Sequence, residues 1–294
     1  MARALILGAS GRVGSQLVEE LDKNHEGLQV RLATRRAEVA DRWRSQGREA
    51  VVLDLDRPEH FAAALEGVDR LFLLTGYTAD MLYQSKMFVD AAAQAGVEHI
   101  VHLGVFGSGR DRIPHFSWHE LIETYIEASG IAWTHLHPNV ITDTVLAVDP
   151  PITETGSFSV HWQESALGWV CAADIAAVAA AVLREGPDRH GGENYWLSTE
   201  VATGPQVADI LSEVLGTTIT CSVAGPDDLA AYVGTIPSAG DRLYMESAVA
   251  TMRQTVLGNM AFQAVVRDDV QTVLGRPGTT VREWAQQNLL STGG

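Results

Sequence analysis

The sequence predicts an α/β fold built on a doubly wound parallel sheet, with a smaller, mostly helical lobe towards the C-terminal end. Three observations predict it. Arg3-Ala4-Leu5-Ile6-Leu7 is an apolar run of strand length, followed directly by the glycine-spaced turn Gly8-Ala9-Ser10-Gly11-Arg12-Val13-Gly14 and by helical periodicity over 15–23. Further strand-length apolar runs alternate with helical stretches as far as Pro138, the pattern that feeds a parallel sheet. With 294 residues and 46% hydrophobic content, the chain can bury one large core and a second, smaller one.

The first turn has the spacing G-x-x-G-x-x-G, and its glycines serve different ends: a tight reversal, bare backbone for a pyrophosphate, and close contact between helix and strand. The helix that follows offers unpaired N–H groups and a partial positive charge to phosphate. Gly8, Ser10, Gly11, Arg12, Val13 and Gly14 are therefore the first candidates for binding a dinucleotide. Residues 28–34 read as the second strand, ending in Thr34-Arg35-Arg36. A carboxylate at this point binds the adenosine ribose hydroxyls, whereas arginine accommodates the extra phosphate of NADP, and Arg12 can reach the same phosphate. The expected cofactor is NADP(H).

Residues 49–55 form the third strand, ending Asp54-Leu55-Asp56. Asp54 is placed to meet an adenine amino group or, equally, to cap a loop, and Leu55 joins it in the cofactor set. Residues 68–74 are a nearly continuous apolar strand, as expected where helices cover both faces. Thr75, Gly76 and Tyr77 then lie at its carboxyl end beside the cofactor, before a helix over 79–95. Strand five, 99–103, leads into Gly104-Val105-Phe106-Gly107-Ser108-Gly109, a flexible stretch at the sheet edge where ligands bind. A helix runs from about His115 to Ser129 with Gly130 as its cap. Ser117-x-x-Glu120 reads as a capping box that starts the regular helix at Trp118 and leaves His115 outside. Residues 133–136 form strand six, closed by Pro138-Asn139.

Beyond this the alternation loosens. Residues 156–168 suit a loop, 169–174 introduce an alanine-rich helix over 175–184 with Asp174 as its cap, and 194–197 form a short strand. A helix over 204–215, an extended segment over 217–223, and a mostly helical remainder broken at Pro237, Gly258 and Pro277 complete the chain. The division expected is an NADP-binding domain over 1–150 and a substrate-covering lobe over 151–294, with 169–200 returning to the sheet.

A formal net charge of −16 argues against a nucleic-acid partner, which needs a basic surface. Cys171 and Cys221 show neither a disulfide framework nor zinc-ligand spacing, which fits a reducing compartment. No stretch is apolar for eighteen residues, and a strand beginning at Arg3 leaves no room for a signal segment. The expectation is a cytoplasmic protein with a small-molecule substrate and no membrane partner. Nothing in the sequence opposes a homo-oligomer.

With these pieces placed, the chain resembles the NmrA-like group of atypical short-chain dehydrogenase/reductases over essentially its whole length. The resemblance rests on Gly8 to Gly14, Thr34-Arg35, Asp54-Leu55, Glu66-Gly67-Val68-Asp69, Trp118-His119-x-x-x-Glu123, Ser129-Gly130-Ile131-Ala132-Trp133-Thr134, His137-Pro138-Asn139 and Trp169-Val170-Cys171-Ala172-Ala173-Asp174. It implies either an NADPH-dependent reductase or a non-catalytic, cofactor-sensing regulator that acts through protein partners. Ordinary short-chain dehydrogenases use Tyr-x-x-x-Lys, whose lysine lowers the tyrosine pKa. Here no tyrosine has that partner, and Lys23 and Lys86 are the only lysines.

The resemblance places His119 where many relatives carry the active-site lysine, and the quinone- and dye-reducing members are similar in having His-x-x-x-Glu. His119 and Glu123 share a helix face, so the carboxylate can orient the imidazole. They are the catalytic candidates, with His119 as proton donor, ribose ligand or structural histidine. His115, His119 and Glu123 at i, i+4 and i+8 imitate a metal site, but the capping box argues against it and no metal is expected. Gly104, Val105, Pro138, Asn139 and Val140 are assigned to the nicotinamide end, with Phe106, Ile141 and Trp162 towards a flat conjugated substrate. The function expected is hydride transfer from NADPH to a quinone, imine or similar acceptor. By calorimetry NADPH should bind much more tightly than NADH; equal dissociation constants would contradict the role given to the arginines.

Overall fold

The computed structural model describes residues 1–24, 27–110 and 112–290. It forms two compact units: the first from residues 1–105, 116–137 and 175–195, the second from 106–115, 138–174 and 196 onward. The last four residues of the C-terminal stretch read from the sequence lie outside the described residues.

The first unit holds strands β1 (Ala2–Ile6), β2 (Leu28–Thr34), β3 (Glu49–Val52), β4 (Arg70–Leu73), β5 (His99–Leu103) and β6 (Ala132–Pro138). They lie in the order β3-β2-β1-β4-β5-β6, each neighbouring pair parallel, with Glu193–Leu197 as a seventh strand beyond β6. The order reverses between β1 and β4, and ligands of such sheets bind outside the carboxyl ends at that reversal. Helices α1 (Arg12–Lys23), α2 (Ala37–Ser45), α3 (Phe61–Leu65), α4 (Met81–Ala95) and α5 (Pro114–Ala128) connect the strands. Ala4, Leu5, Ile6, Leu71, Phe72 and Leu73 are fully buried, as central parallel strands covered on both faces require.

Two local features depart from the sequence reading. Helix α5 begins at Pro114, so His115 lies inside it. Proline at a first helical position has no N–H to lose and a backbone angle already set for the helix, which outweighs the capping box at Ser117. The His115 N–H donates to the Ser247 hydroxyl at 3.1 Å, and its Nδ1 lies 2.7 Å from the same oxygen. Asp174, expected as a helix cap, sits within helix Ala172–Glu185.

The second unit contains a three-stranded sheet of Glu200–Ala202, Leu167–Val170 and Val140–Ile141, and a pair formed by Ser157–Val160 and Thr220–Val223. Around them lie helices Gly204–Leu215, Pro226–Val233, Ala239–Val256 and Val281–Leu289. Trp162, Trp169, Val207, Leu211 and Trp284 share its hydrophobic cluster. Thr203 and Gln206 close a capping box on helix Gly204–Leu215, with Pro205 in its first turn. Among the described residues no helix is long and apolar enough to cross a membrane.

Asp174 is fully buried and explains its own departure. Its carboxylate accepts from Arg276 at 2.8 Å and from the N–H and hydroxyl of Thr279 at 2.5 and 3.1 Å, tying down the segment before Val281–Leu289. Asp174→Ala strands these donors and should lower stability by about 2–4 kcal/mol in urea unfolding; a loss below about 0.5 kcal/mol would contradict the role.

Candidate functional site

The glycine turn places β1 and α1 almost in contact. The Gly11 N–H donates to the Gly8 carbonyl at 2.8 Å, and a Cβ on Gly14 would stand 2.0 Å from that same oxygen. Only a residue without a side chain fits there, so the helix starts flush with the end of the strand. Gly11 is the N-cap of α1 and supplies no side-chain cap, which leaves the helix start open to an anion. Ser10, Gly11 and Arg12 are exposed, whereas Val13 and Gly14 are buried beneath them.

Arg12, Arg35 and Arg36 all reach solvent. Among the described residues neither Arg12 nor Arg35 has a carboxylate partner, and Arg36 has only Glu38 at 4.0 Å. Thr34 is buried at the end of β2, its hydroxyl accepting from the Arg36 N–H at 3.2 Å. The Asp54 Oδ1 accepts from the Asp56 N–H at 3.2 Å in a local turn, and the Asp54 N–H donates to His60 Nδ1 at 3.2 Å. Leu55 is half-buried next to it and packs against the first unit's core. Past β4, the Thr75 hydroxyl oxygen is buried with no partner among the described residues, and Gly76 is exposed. A phosphate-sized cradle, free guanidinium groups and an orphaned hydroxyl along one sheet edge fit a phosphorylated dinucleotide.

Tyr77 joins this edge to α5. Its hydroxyl lies 3.1 Å from His119 Nε2. His119 is buried, and its Nδ1 lies 3.4 Å from His102 Nε2. The sequence reading paired His119 with Glu123 directly; instead Glu123 Oε1 lies 3.6 Å from His102 Nδ1 and 3.7 Å from His137 Nδ1. His137 Nδ1 also lies 3.1 Å from the Val105 carbonyl, and its Nε2 lies 2.8 Å from Asn194 Oδ1.

This cluster follows from register and pitch. His102 and His135 are paired residues on parallel neighbours, so both imidazoles project from one sheet face, and His137 follows two residues on. His119, Glu123 and Glu127 recur every four residues along α5 and cover that face. Gly104 leaves the space that the Glu123 carboxyl occupies: a Cβ there would stand 2.5 Å from Oε1 and push the carboxyl aside. The sequence reading missed His102, His135 and His137. Their only signal was imidazoles within short, largely apolar strands, two of them at alternate positions of β6.

Burial sets the charge states. It pushes the Glu123 carboxyl up to about 8, helped by Glu127 and Glu120. It holds His102 well below the usual histidine range, with His119, His135 and His137 adding to the effect, and takes His135 down to about 3, with His137 adding. His102, Glu123 and His135 bring donor-type atoms within 4.8 Å of one another. That is a different set from the His115–His119–Glu123 series.

Neither lysine enters this region. Lys23 pairs with Glu20 and Lys86 with Asp90, and the Tyr125 hydroxyl donates to the same Asp90 at 2.5 Å.

The remaining candidates belong to the second unit, except Gly104 and Val105. The Phe106 ring packs on Trp196 with centroids 5.1 Å apart, and its N–H donates to the Pro138 carbonyl at 3.1 Å. Asn139 donates to the Gln263 carbonyl at 2.8 Å and accepts from the Val140 N–H at 3.0 Å. Val140 and Ile141 pair with Trp169 and Val170. Trp162 is buried, its ring centroid 6.2 Å from that of Trp169.

The model of the NmrA-like family matches residues 2–268. The NAD(P)H azoreductase of Xenophilus azovorans is 28% identical, covering 98% of this chain and 99% of its own. Quinone oxidoreductase 2 of Escherichia coli (strain K12) is 26% identical, covering 95% and 96%. The structure of Citrobacter sp. triphenylmethane reductase complexed with NADP(H) superimposes with a TM-score of 0.81 at 25% identity, covering 98% and 99%.

The Glu123 carboxyl yields a stability prediction. The unfolded chain releases this proton near 4.5 and the folded chain near 8, so the stabilisation is complete below 4.5 and is lost as pH rises through 8. His102 and His135 act oppositely, losing stability as pH falls below 6.5. Glu123→Gln removes only the first effect. In urea unfolding the variant should gain on the wild type by on the order of 1–3 kcal/mol between pH 5 and pH 8; a difference independent of pH would contradict the neutral carboxyl.

Proposed function

Because the chain belongs to the NmrA-like family, we propose that it is an NADPH-dependent reductase that passes hydride to a small conjugated acceptor, a quinone, an imine or a related dye. The observation that carries this reading is the pairing of an open, arginine-flanked glycine cradle with a Tyr77–His119 contact on the same sheet edge. The similar azoreductase, quinone reductase and triphenylmethane reductase favour the same class of acceptor. Two free cysteines and a reducing cofactor suit the cytoplasm.

NADPH supplies the hydride when bound. The α1 amides and the backbone of Gly8 to Gly14 hold the diphosphate, while Arg12, Arg35 and Arg36 neutralise the ribose phosphate. Asp54 and Leu55 meet the adenine end, and Thr75, Gly76, Gly104 and Val105 line the carboxyl edge towards the nicotinamide. Pro138, Asn139 and Val140 belong to the same assignment, with Phe106, Ile141 and Trp162 as substrate-side candidates. His119 holds a proton at Nε2 against the Tyr77 hydroxyl, which faces the negative charge that develops on the acceptor. Much of the rate comes from holding donor and acceptor together. Without a lysine beside the tyrosine, acceptors whose reduced anion is already delocalised are favoured over simple ketones.

The test is NADPH oxidation against quinones, imines and ketones. Turnover should follow the order quinone or imine well above ketone, and tight cofactor binding with no turnover on any acceptor would overturn the reading. Arg35→Ala combined with Arg36→Ala should weaken NADPH binding by tenfold or more and leave NADH within about twofold, since each lost phosphate contact is worth on the order of 1 kcal/mol; equal losses for both coenzymes would contradict the assignment.

A further inference from the structure

Behind Tyr77 the first unit keeps a line of ionisable groups that no dinucleotide needs. We propose that Glu123, His102 and His119 form a proton path from solvent to the Tyr77 hydroxyl, resupplying the proton that a quinone, imine or azo acceptor takes up with each hydride. The inference rests on the reductase reading.

The line is continuous in space. Tyr77 Oη to His119 Nε2 is 3.1 Å, His119 Nδ1 to His102 Nε2 is 3.4 Å, and His102 Nδ1 to Glu123 Oε1 is 3.6 Å. Closing the last gap takes a carboxyl shift of less than about 1 Å. Among the described residues His102 Nδ1 and Glu123 Oε1 are both buried without a hydrogen-bond partner, and His137 Nδ1, 3.7 Å from Oε1, is already engaged by the Val105 carbonyl at 3.1 Å. The two ends of the line reach the surface and its middle does not: Tyr77 is half-buried, and at the far end Glu123 Oε1 is buried while 18% of its side chain is exposed. His102 is fully buried and can exchange protons only through its neighbours.

The groups facing Glu123 define how it titrates. Glu120 and Glu127 on its own helix oppose its ionisation, His102 faces it from β5, and His135 and His137 face it from β6. His137 is engaged by Val105 and Asn194, and His135 Nε2 lies 3.5 Å from Glu127, so both are side branches. At neutral pH the carboxyl carries the proton, and burial disfavours the charged forms of His102, His135 and His137.

The step balances as one proton in and one proton out. Hydride addition to a quinone gives a hydroquinone monoanion, which takes the Tyr77 proton. The phenolate recovers a proton from His119 Nε2–H, while His119 Nδ1 takes one from His102 Nε2–H. His102 Nδ1 takes one from the Glu123 carboxyl, which solvent reprotonates. The rings regain their first tautomers before the next turnover. No electrons move along the path.

A cationic triphenylmethane dye provides the internal control, because hydride addition gives its neutral leuco form without consuming a proton. Wild type, Glu123→Gln and Glu123→Asp are assayed with NADPH and either a benzoquinone or the cationic dye, across pH 5–9 and in heavy water. Glu123→Gln should lower the ratio of quinone to dye kcat by tenfold or more, with the KM for NADPH within twofold, and Glu123→Asp should restore part of it. The wild-type quinone rate should fall above about pH 8 and show a solvent isotope effect that the dye rate lacks. Equal losses on both acceptors, or none, would overturn the path, as would stoichiometric metal in purified protein that Glu123→Gln removes. If the wild type reduces only the quinone, NADPH deuterated at C4 decides: the variant should mask the primary isotope effect, and an undiminished effect overturns the path. A wild type with no turnover on either acceptor defeats the reductase reading itself.

Discussion

The contact on which the first unit depends is that of Gly14 beneath the Gly8 carbonyl. A methyl group there would lie 2.0 Å from the oxygen, far inside any tolerable separation. With hydrogen in its place, α1 begins at the end of β1, and its open N-terminus stands at the point where the strand order reverses. A dinucleotide diphosphate gains from amides and dipole only if the helix starts there. The arginines after β2 and within the turn are exposed in the same unit.

A second close approach organises the chemistry. Gly104 lets the Glu123 carboxyl rest against β5, and the four-residue repeat of α5 lays His119, Glu123 and Glu127 over His102, His135 and His137. Burying so many polar groups in one place is costly, and four buried polar atoms of this cluster lack hydrogen-bond partners: His102 Nδ1, Glu123 Oε1 and both nitrogens of His135. Burial disfavours the charged forms of His102 and His135 and raises the Glu123 carboxyl to about 8, so Glu123 holds its proton at neutral pH.

The doubly wound sheet was legible because its signals are local. A strand, a glycine turn and an amphipathic helix follow one another within 23 residues, and each later strand is a short apolar run. The start of α5 was misread because Pro114 and the Ser117 capping box are both valid helix starts; the proline favours the earlier one, and the engagement of His115 by Ser247 adds to it. Asp174 was misread as a cap because its partners, Arg276 and Thr279, lie about a hundred residues away. The histidine cluster was hidden for a related reason. A histidine in an apolar strand looks like any buried polar residue until strand register reveals which others share its face.

The central claim is that this chain moves hydride from NADPH to a conjugated acceptor. The most direct measurement supplies NADPH deuterated at both C4 positions with a cationic triphenylmethane dye and weighs the leuco product by mass spectrometry, since the new C–D bond does not exchange. The account predicts one deuterium per product molecule. Unlabelled product, or no leuco product from protein that binds the coenzyme, would contradict it.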